Sequence, residues 1–395
     1  MISPSEKIKK LPPYLFGVID VLKARAYQKK LDVIDLGMGN PDLPTPQCII
    51  DRLVDTVSRH PRTHRYPQAK GMPKFRASVS AWYKKRFGVS LDAESEVVAL
   101  IGSKEGIAHL CLAYLNPGDV ALVPTPCYPV HYNGVILAGG EPYLMPLVES
   151  NAYLPDFSAI PAKILKKAKI MILNYPNNPT GAVIEDKKFL EDTVALAKKY
   201  NIIVIYDNAY SEMTFSGYEA PSFLEIPGAM EVGCEFGSFS KTYNMAGWRI
   251  GWAAGNSEIL AGLAKYKSYL DYGVPTFIQL SGVRALEMRK DEIKKTLNEY
   301  EKRFDFFVKK LNSIGWDVKK PKATMYLWAK IPPAFGNMSS LEFAKLLIET
   351  TGIAVAPGIG FGSYGEGFVR MAMVTHYKRF HDAFIRLKKF MKRGG

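Results

Sequence analysis

Two short apolar runs, each followed by a polar motif, constrain the fold of this chain more than any other feature. Residues 169–173 precede Asn178–Gly181, with the sequence Asn-Pro-Thr-Gly, and residues 202–206 precede Asp207–Tyr210, with the sequence Asp-Asn-Ala-Tyr. Apolar runs of this length are typical of strands buried on both faces of a parallel sheet. The segment Glu185–Tyr200 between them carries apolar residues on one face, so the region predicts a strand, a helix and a second strand.

A third strand is predicted at Val97–Ile101, followed at once by Gly102, Ser103 and a helix that continues to Leu115. The start of that helix places unpaired backbone amides at the end of the strand, where they can bind an anion. In open parallel sheets, ligands bind beyond the carboxyl ends of the strands. We therefore expect the polar motifs to meet in one crevice.

Lys241 gives that crevice a chemical function. It follows Ser238 and Ser240, and Arg249 comes eight residues later. A lysine amine can form a Schiff base with an aldehyde, while the hydroxyls and the guanidinium hold a neighbouring phosphate. Pyridoxal phosphate carries both an aldehyde and a phosphate, so the spacing predicts a lysine that holds this cofactor.

The composition narrows the class of protein. A chain of 395 residues exceeds the size at which one core stops growing, so we expect two lobes. No apolar run approaches the roughly 18 residues of a membrane span, and the first residues lack a secretory signal, so a cytoplasmic location is expected. The four cysteines have no paired spacing, and neither disulfides nor a metal are expected.

The formal net charge of +14 is spread over short basic clusters rather than gathered on one face with interleaved aromatic residues. Nucleic-acid binding is therefore not expected. A basic surface could instead steer anionic amino acids and keto acids toward the crevice.

The motifs together resemble the class I pyridoxal-phosphate aminotransferases, the fold-type-I superfamily typified by aspartate aminotransferase. They follow one another in the order of that family: Gly37–Asp42, Tyr66, Gly102–Lys104, Asn178–Gly181, Asp207–Tyr210, Lys241–Gly251 and Arg370. Within the family, three further segments favour the bacterial alanine/glutamate-pyruvate branch, namely Leu11–Tyr14, Ile101–Gly106 and Tyr243–Arg249. The aspartate and LL-diaminopimelate aminotransferases are near relatives of that branch.

The resemblance implies an α/β fold. A large domain contains a mostly parallel, seven-stranded sheet between layers of helices, and a smaller α+β domain combines the N-terminal arm with the C-terminal part. The expected limits are 1–45 for the arm, 46–280 for the large, cofactor-binding domain and 281–395 for the small C-terminal domain. The resemblance also implies a homodimer in which Tyr66 contacts the cofactor phosphate at the neighbouring subunit's site.

It further assigns site residues. The expected cofactor-binding residues are Tyr66, Ser103, Lys104, Tyr128, Asn178, Asp207, Tyr210, Ser238, Ser240, Lys241 and Arg249. The expected substrate-binding residues are Gly39, Lys104, Asn178 and Arg370. Asp207 would keep the cofactor's ring nitrogen protonated, and Arg370 would grip the substrate α-carboxylate. Lys241 would be the catalytic residue, first as the anchor of the cofactor and then as the proton carrier. Lys104 has two open interpretations, as a contact of the cofactor phosphate or of a substrate's distal carboxylate.

The predicted reaction is transfer of an amino group between a small L-amino acid and 2-oxoglutarate by a ping-pong pyridoxal/pyridoxamine phosphate mechanism. Alanine is favoured as the amino acid, and aspartate is possible. The alternatives are an LL-diaminopimelate or other amino-acid aminotransferase, or a carbon–sulfur lyase that uses the same cofactor. The motifs leave the amino donor open, because selectivity depends on loops such as Tyr14–Gly17 and Tyr269–Gly273.

Overall fold

The computed structural model describes residues 2–13 and 15–392, without the side chains of residues 15 and 16. Of the predicted selectivity loop Tyr14–Gly17, Tyr14 lies outside the described residues, and the rest begins a helix rather than forming a loop. The strands are β1 Ile34–Asp35, β2 Val97–Leu100, β3 Val120–Thr125, β4 Glu141–Pro146, β5 Ala168–Asn174, β6 Ile203–Asp207, β7 Gly233–Ser238, β8 Gly251–Gly255, β9 Tyr326–Lys330, β10 Ile353–Ala354, β11 Ala356–Pro357 and β12 Phe368–Ala372. The α-helices are α1 Glu6–Lys9, α2 Leu15–Gln28, α3 Gln47–Arg59, α4 Pro73–Phe87, α5 Ser103–Tyr114, α6 Pro129–Leu137, α7 Ala162–Leu165, α8 Lys188–Tyr200, α9 Ala229–Val232, α10 Ser257–Leu270, α11 Thr276–Leu286, α12 Lys290–Asn312, α13 Ser340–Thr351 and α14 Tyr377–Met391.

Seven strands form the main sheet, in the order β2-β8-β7-β6-β5-β3-β4. Strand β8 runs antiparallel to both of its neighbours, and all other neighbouring strands are parallel. The predicted mostly parallel, seven-stranded sheet is therefore confirmed.

Strand β5 shows why the apolar run is continuous. Ile170 and Ile172 pack on one face of the sheet, in a core shared with apolar residues of α5, α6 and α10. Met171 and Leu173 pack on the other face, in a core shared with residues of α4 and α8. Because helices cover both faces, the side chains of residues 170–173 are all buried, and Lys169 near the start of the strand is the exposed exception. The helix predicted from Glu185 begins three residues later, at Lys188.

The smaller lobe is built from both ends of the chain. Strand β1 pairs in parallel with β10, and β11, β12 and β9 form a separate antiparallel sheet. Ile19 and Leu22 of α2 share one core with Phe343 and Leu347 of α13. The predicted boundary near residue 280 falls inside α11, and the limits of the domains stay a prediction.

The carboxyl ends of β5, β6 and β7 lie side by side, and this arrangement places the polar motifs together. Asn174 at the end of β5 is paired in register with Asp207 at the end of β6. Ser238 ends the adjacent β7.

Within the described part of the chain, no helix is both long and apolar enough to cross a membrane.

Candidate active site

One cavity of about 190 Å³ brings together every predicted site residue except Tyr66. The predicted residues that line it are Gly39, Ser103, Lys104, Tyr128, Asn178, Asp207, Tyr210, Ser238, Ser240, Lys241, Arg249 and Arg370. The motifs are up to 331 positions apart in the sequence, from Gly39 to Arg370, and the sheet and the small lobe bring them to one place.

The charges of the cavity wall favour anions. Four basic residues line it, Lys104, Lys241, Arg249 and Arg370, against a single acidic residue, Asp207. Among the salt bridges that the described residues show, none joins Lys104, Lys241 or Arg249 to a carboxylate. A cavity with this excess of positive charge suits a phosphate and a carboxylate bound together.

Lys241 lies where the loop after β7 meets the N-terminal segment. Its Nζ donates a hydrogen bond to the carbonyl oxygen of Gly39 at 2.7 Å. Burial lowers the pKa of Lys241, and the nearby Arg370 and Arg249 guanidinium groups lower it further, against an opposing effect of Tyr326. A lowered pKa increases the fraction of neutral amine, which is the nucleophilic form.

The start of α5 and the segment before β8 form an anion cradle. Ser103 is the first residue of α5, and Gly102 before it has a positive φ of 78°. A Cβ atom at Gly102 would lie 2.5 Å from Nη2 of Arg249, so the close approach of the guanidinium requires glycine. The guanidinium is held by the carbonyl oxygens of Ala246, at 3.1 Å, and Ile101, at 3.3 Å.

Asp207 is a buried residue of the cavity wall. Its Oδ2 lies 3.0 Å from Nε2 of His131, and its Oδ1 accepts a longer bond from the backbone N–H of Ala209 at 3.3 Å. Asn174 also fixes this turn, because its Nδ2 donates to the carbonyl oxygen of Asp207 at 2.8 Å. Nothing in the motifs marked His131, which lies on α6 and meets Asp207 only in the folded chain.

Arg370, on β12, is 2% exposed and firmly oriented. One Nη donates to Oδ1 of Asn178 at 2.8 Å and the other to the carbonyl oxygen of Gly37 at 2.9 Å. The guanidinium carbon lies 4.1 Å from the ring centre of Tyr326 and 4.6 Å from that of Phe361. This arrangement gives a planar fork whose direction is set before a substrate carboxylate arrives.

Sequence reasoning missed Tyr326, which also lines the cavity. No sequence motif marked it, and its hydroxyl lies 3.0 Å from the hydroxyl of Tyr210. Other lining residues outside the predicted set are Met38, Gly102, Asn174, Ala209 and Ala246. The predicted selectivity loop 269–273 does not line this cavity.

Two predicted roles stay open. Tyr66 is 86% exposed, contacts the ring of Tyr272 and does not line the cavity of its own chain, so its contact with a neighbouring subunit remains a prediction. Lys104 lines the cavity, with its Nζ 6.0 Å from the ring centre of Tyr128. That position fits both a cofactor phosphate and a distal substrate carboxylate.

The donor set fits pyridoxal phosphate. The anion cradle at Gly102, Ser103 and Arg249 matches a phosphate, and Lys241 supplies the amine that an aldehyde requires. Asp207 is a buried carboxylate that can pair with a ring nitrogen. The fold and the site thus define a pyridoxal-phosphate enzyme.

The family follows from comparison with known proteins. Residues 31–379 match the family described as aminotransferase class I and II. The chain therefore belongs to the class I and II aminotransferases, and it is a pyridoxal-phosphate-dependent transaminase.

Individual relatives agree with this assignment. The LL-diaminopimelate aminotransferase of Syntrophobacter fumaroxidans is 51% identical over 385 residues, which cover 98% of each chain. The glutamate-pyruvate aminotransferase AlaC of Escherichia coli is 43% identical over 389 residues, which cover 98% of this chain and 94% of AlaC. Among solved structures, a probable N-succinyldiaminopimelate aminotransferase from Thermus thermophilus superposes with a TM-score of 0.89 at 37% identity, covering 95% of this chain and 99% of that one.

Proposed function

We propose that this enzyme transfers an amino group from LL-diaminopimelate to 2-oxoglutarate. The observation that carries the proposal is the cavity itself, in which Lys241, with its lowered pKa, shares the wall with three other basic residues and one carboxylate. The substrate is supported by relatives named as LL-diaminopimelate aminotransferases, which are 51% and 47% identical over 98% of this chain. These relatives favour LL-diaminopimelate as the substrate, whereas the sequence motifs favoured alanine.

The residues around the cofactor have separable roles in this proposal. The cofactor, when bound, withdraws electrons from the substrate's α-carbon. Ser103, Ser238, Ser240 and Arg249 hold its phosphate. Asp207 keeps its ring nitrogen protonated, because a buried carboxylate favours the charged form of a partner cation.

Two further groups orient the substrate and move its proton. Arg370 binds the α-carboxylate through two parallel hydrogen bonds, which fixes the bond at the α-carbon that breaks. Lys241 would take the proton from the α-carbon and hold it at Nζ. Because the amine is held inside the cavity, the transfer is effectively intramolecular.

Lys104 is the residue proposed to distinguish LL-diaminopimelate from alanine. Diaminopimelate carries a second carboxylate at the far end of its chain, and alanine has none. A lysine on the cavity wall without a salt bridge can pair with that carboxylate or turn away when it is missing. Lys104→Ala should weaken LL-diaminopimelate and glutamate by roughly 1–3 kcal/mol, while alanine is nearly unaffected. Equal losses for all substrates, with loss of cofactor, would assign Lys104 to the phosphate instead.

A panel of amino donors with 2-oxoglutarate as acceptor tests the substrate. LL-diaminopimelate should give a kcat/KM at least about tenfold above alanine and aspartate, a difference equivalent to one charge-assisted contact. The second candidate is exchange between glutamate and pyruvate, which the 43% identity to AlaC supports. A higher kcat/KM with alanine than with LL-diaminopimelate would select that function.

We also propose that the enzyme acts as a homodimer in the cytoplasm, with Tyr66 at the neighbouring site. The support for the dimer is an exposed aromatic surface formed by Tyr66, Tyr269 and Tyr272, together with Leu270. The rings of Tyr66 and Tyr272 are in contact, with centres 5.3 Å apart, and exposed apolar clusters are commonly covered by a partner.

A further inference from the structure

The hydroxyl of Tyr326 and the amine of Lys241 both lie against Gly39. Tyr326 is 3% exposed at the start of β9. A Cβ atom on Gly39 would lie 2.2 Å from its hydroxyl oxygen, so the hydroxyl rests directly against this glycine. Lys241 Nζ donates to the carbonyl oxygen of Gly39 at 2.7 Å. The amine and the hydroxyl are therefore neighbours at Gly39, and each acts on the charge of the other.

Tyr326 is also paired with Tyr210. Their hydroxyl oxygens are 3.0 Å apart, and their rings pack edge to face with centres 5.7 Å apart. In a pair of hydroxyls, only one can donate to the other at a given moment. The direction of this bond therefore decides whether the hydrogen of Tyr210 points to Tyr326 or into the cavity.

The charges around the pair make the two tyrosines unequal. Burial opposes ionisation of Tyr326, but Lys241 and Arg370 outweigh it and hold the pKa of Tyr326 below its ordinary value. Burial, and then Tyr326, raise the pKa of Tyr210. Tyr128 faces Tyr210 and Tyr300 faces Tyr326, and Arg249 adds positive charge near Lys241. Tyr326 is therefore the member of the pair that can give up its proton.

We propose that Tyr326 is a positioning residue that accepts the proton lost by Lys241 when that lysine becomes a neutral amine. The new hydroxyl of Tyr326 then donates a hydrogen bond to the hydroxyl oxygen of Tyr210. In this step an N–H bond of the Lys241 ammonium breaks and an O–H bond of Tyr326 forms, so that a cation and a phenolate become an amine and a phenol. Tyr326 then donates to Tyr210, and the hydrogen of Tyr210 turns into the cavity. The proposal rests on the functions proposed above for Lys241 and Tyr210.

The first test uses the cofactor-free protein, so that it does not depend on activity. Lys241 is reductively methylated at a series of pH values, and the modified peptide is quantified by mass spectrometry in wild type, Tyr326→Phe and Tyr206→Phe. Tyr206 is a matched control, because it is a fully buried tyrosine whose hydroxyl has no hydrogen-bond partner among the described residues.

Tyr326→Phe keeps the ring and removes only the hydroxyl. Since Tyr326 favours the ammonium form of Lys241, its loss should move the midpoint of Lys241 labelling to lower pH, while Tyr206→Phe keeps the wild-type midpoint. Identical midpoints in wild type and Tyr326→Phe would overturn the proposal. Near-ultraviolet circular dichroism checks that both variants are folded.

The second test uses the enzyme loaded with cofactor. Tyr326→Phe should lower kcat by about five- to tenfold with little change in KM, and it should shift the pH midpoint of the cofactor's absorption band. An effect on KM alone, with an unchanged midpoint, would show that Tyr326 only packs under Arg370. Absence of amino transfer in wild type would contradict the proposed function, whereas the labelling experiment would still decide the function of Tyr326.

Discussion

At the scale of single residues, the proposal gives Lys241 two functions, as anchor of the cofactor and as proton carrier. It is the amine on the cavity wall whose pKa burial lowers, and it is held by a backbone oxygen rather than by an acid. Its ammonium is therefore not locked into a salt bridge, which leaves the amine free to react.

Lys241→Ala should reduce the rate of amino transfer by at least about a thousandfold, because both the anchor and the proton carrier are lost. The phosphate contacts are untouched, so the variant should still bind the cofactor, as measured by dialysis and absorbance. Wild-type turnover in this variant would place the reactive amine elsewhere.

Arg370→Lys should raise KM for the amino donor and for 2-oxoglutarate together, by about tenfold or more. Both substrates present the same α-carboxylate, and lysine lacks the planar fork that Asn178 and Gly37 orient here. Steady-state kinetics with each substrate varied in turn measures the effect. Damage confined to one substrate would be incompatible with a shared carboxylate site.

At the scale of elements, the start of α5 is supported by a buried charge cluster. Lys267 of α10 is fully buried, and its Nζ donates to Glu105 at 2.8 Å and to Asp271 at 3.0 Å. Glu105 also accepts from the backbone N–H of Ile101 at 2.9 Å. The ammonium thus holds the first turn of α5, which carries Ser103, against α10.

Lys267→Met should destabilise the protein by about 3–5 kcal/mol, because it leaves two carboxylates without their cation. It should also weaken cofactor binding through the displaced start of α5. Denaturant unfolding and cofactor titration measure the two effects. Lys265→Met is the matched control, since Lys265 is exposed on the same helix. Equal behaviour of the two variants would show that the cluster does not support the site.

The elements that sequence reasoning predicted correctly are those with a local pattern. The continuous apolar runs marked β5 and β6, because strands between two helical layers have no polar face. The pairing of β1 with β10 had no such signal, since two residues carry no periodicity. In the site, Asp207 and Lys241 lie in recognisable motifs. His131 and Tyr326 do not, because their contacts with Asp207 and Tyr210 arise only from packing of α6 and β9.

At the scale of the whole molecule, the exposed Tyr66 can show whether the site is built by one chain or by two. We predict that mixing Lys241→Ala chains with Tyr66→Ala chains restores activity. In a mixed dimer, the site that keeps Lys241 receives an intact Tyr66 from the partner. Random mixing should recover up to about one quarter of the wild-type activity, since half the dimers are mixed and each has one intact site.

The mixture is compared with each variant alone after partial unfolding and refolding together. If Tyr66 acts within its own chain, no site in a mixed dimer is intact, and the activity stays at the mean of the two variants. That result would contradict a site shared between two chains, and Tyr66 would then be a surface residue without a function at the neighbouring site.

The central claim is that this cavity moves an amino group from LL-diaminopimelate and retains it on the enzyme. Its most direct measurement is a single half-reaction, in which LL-diaminopimelate or alanine is added to the cofactor-loaded enzyme without a keto-acid acceptor. We predict one keto product per site, no free ammonia, and a faster half-reaction with LL-diaminopimelate than with alanine. Release of ammonia in repeated turnovers, or a faster half-reaction with alanine, would contradict it.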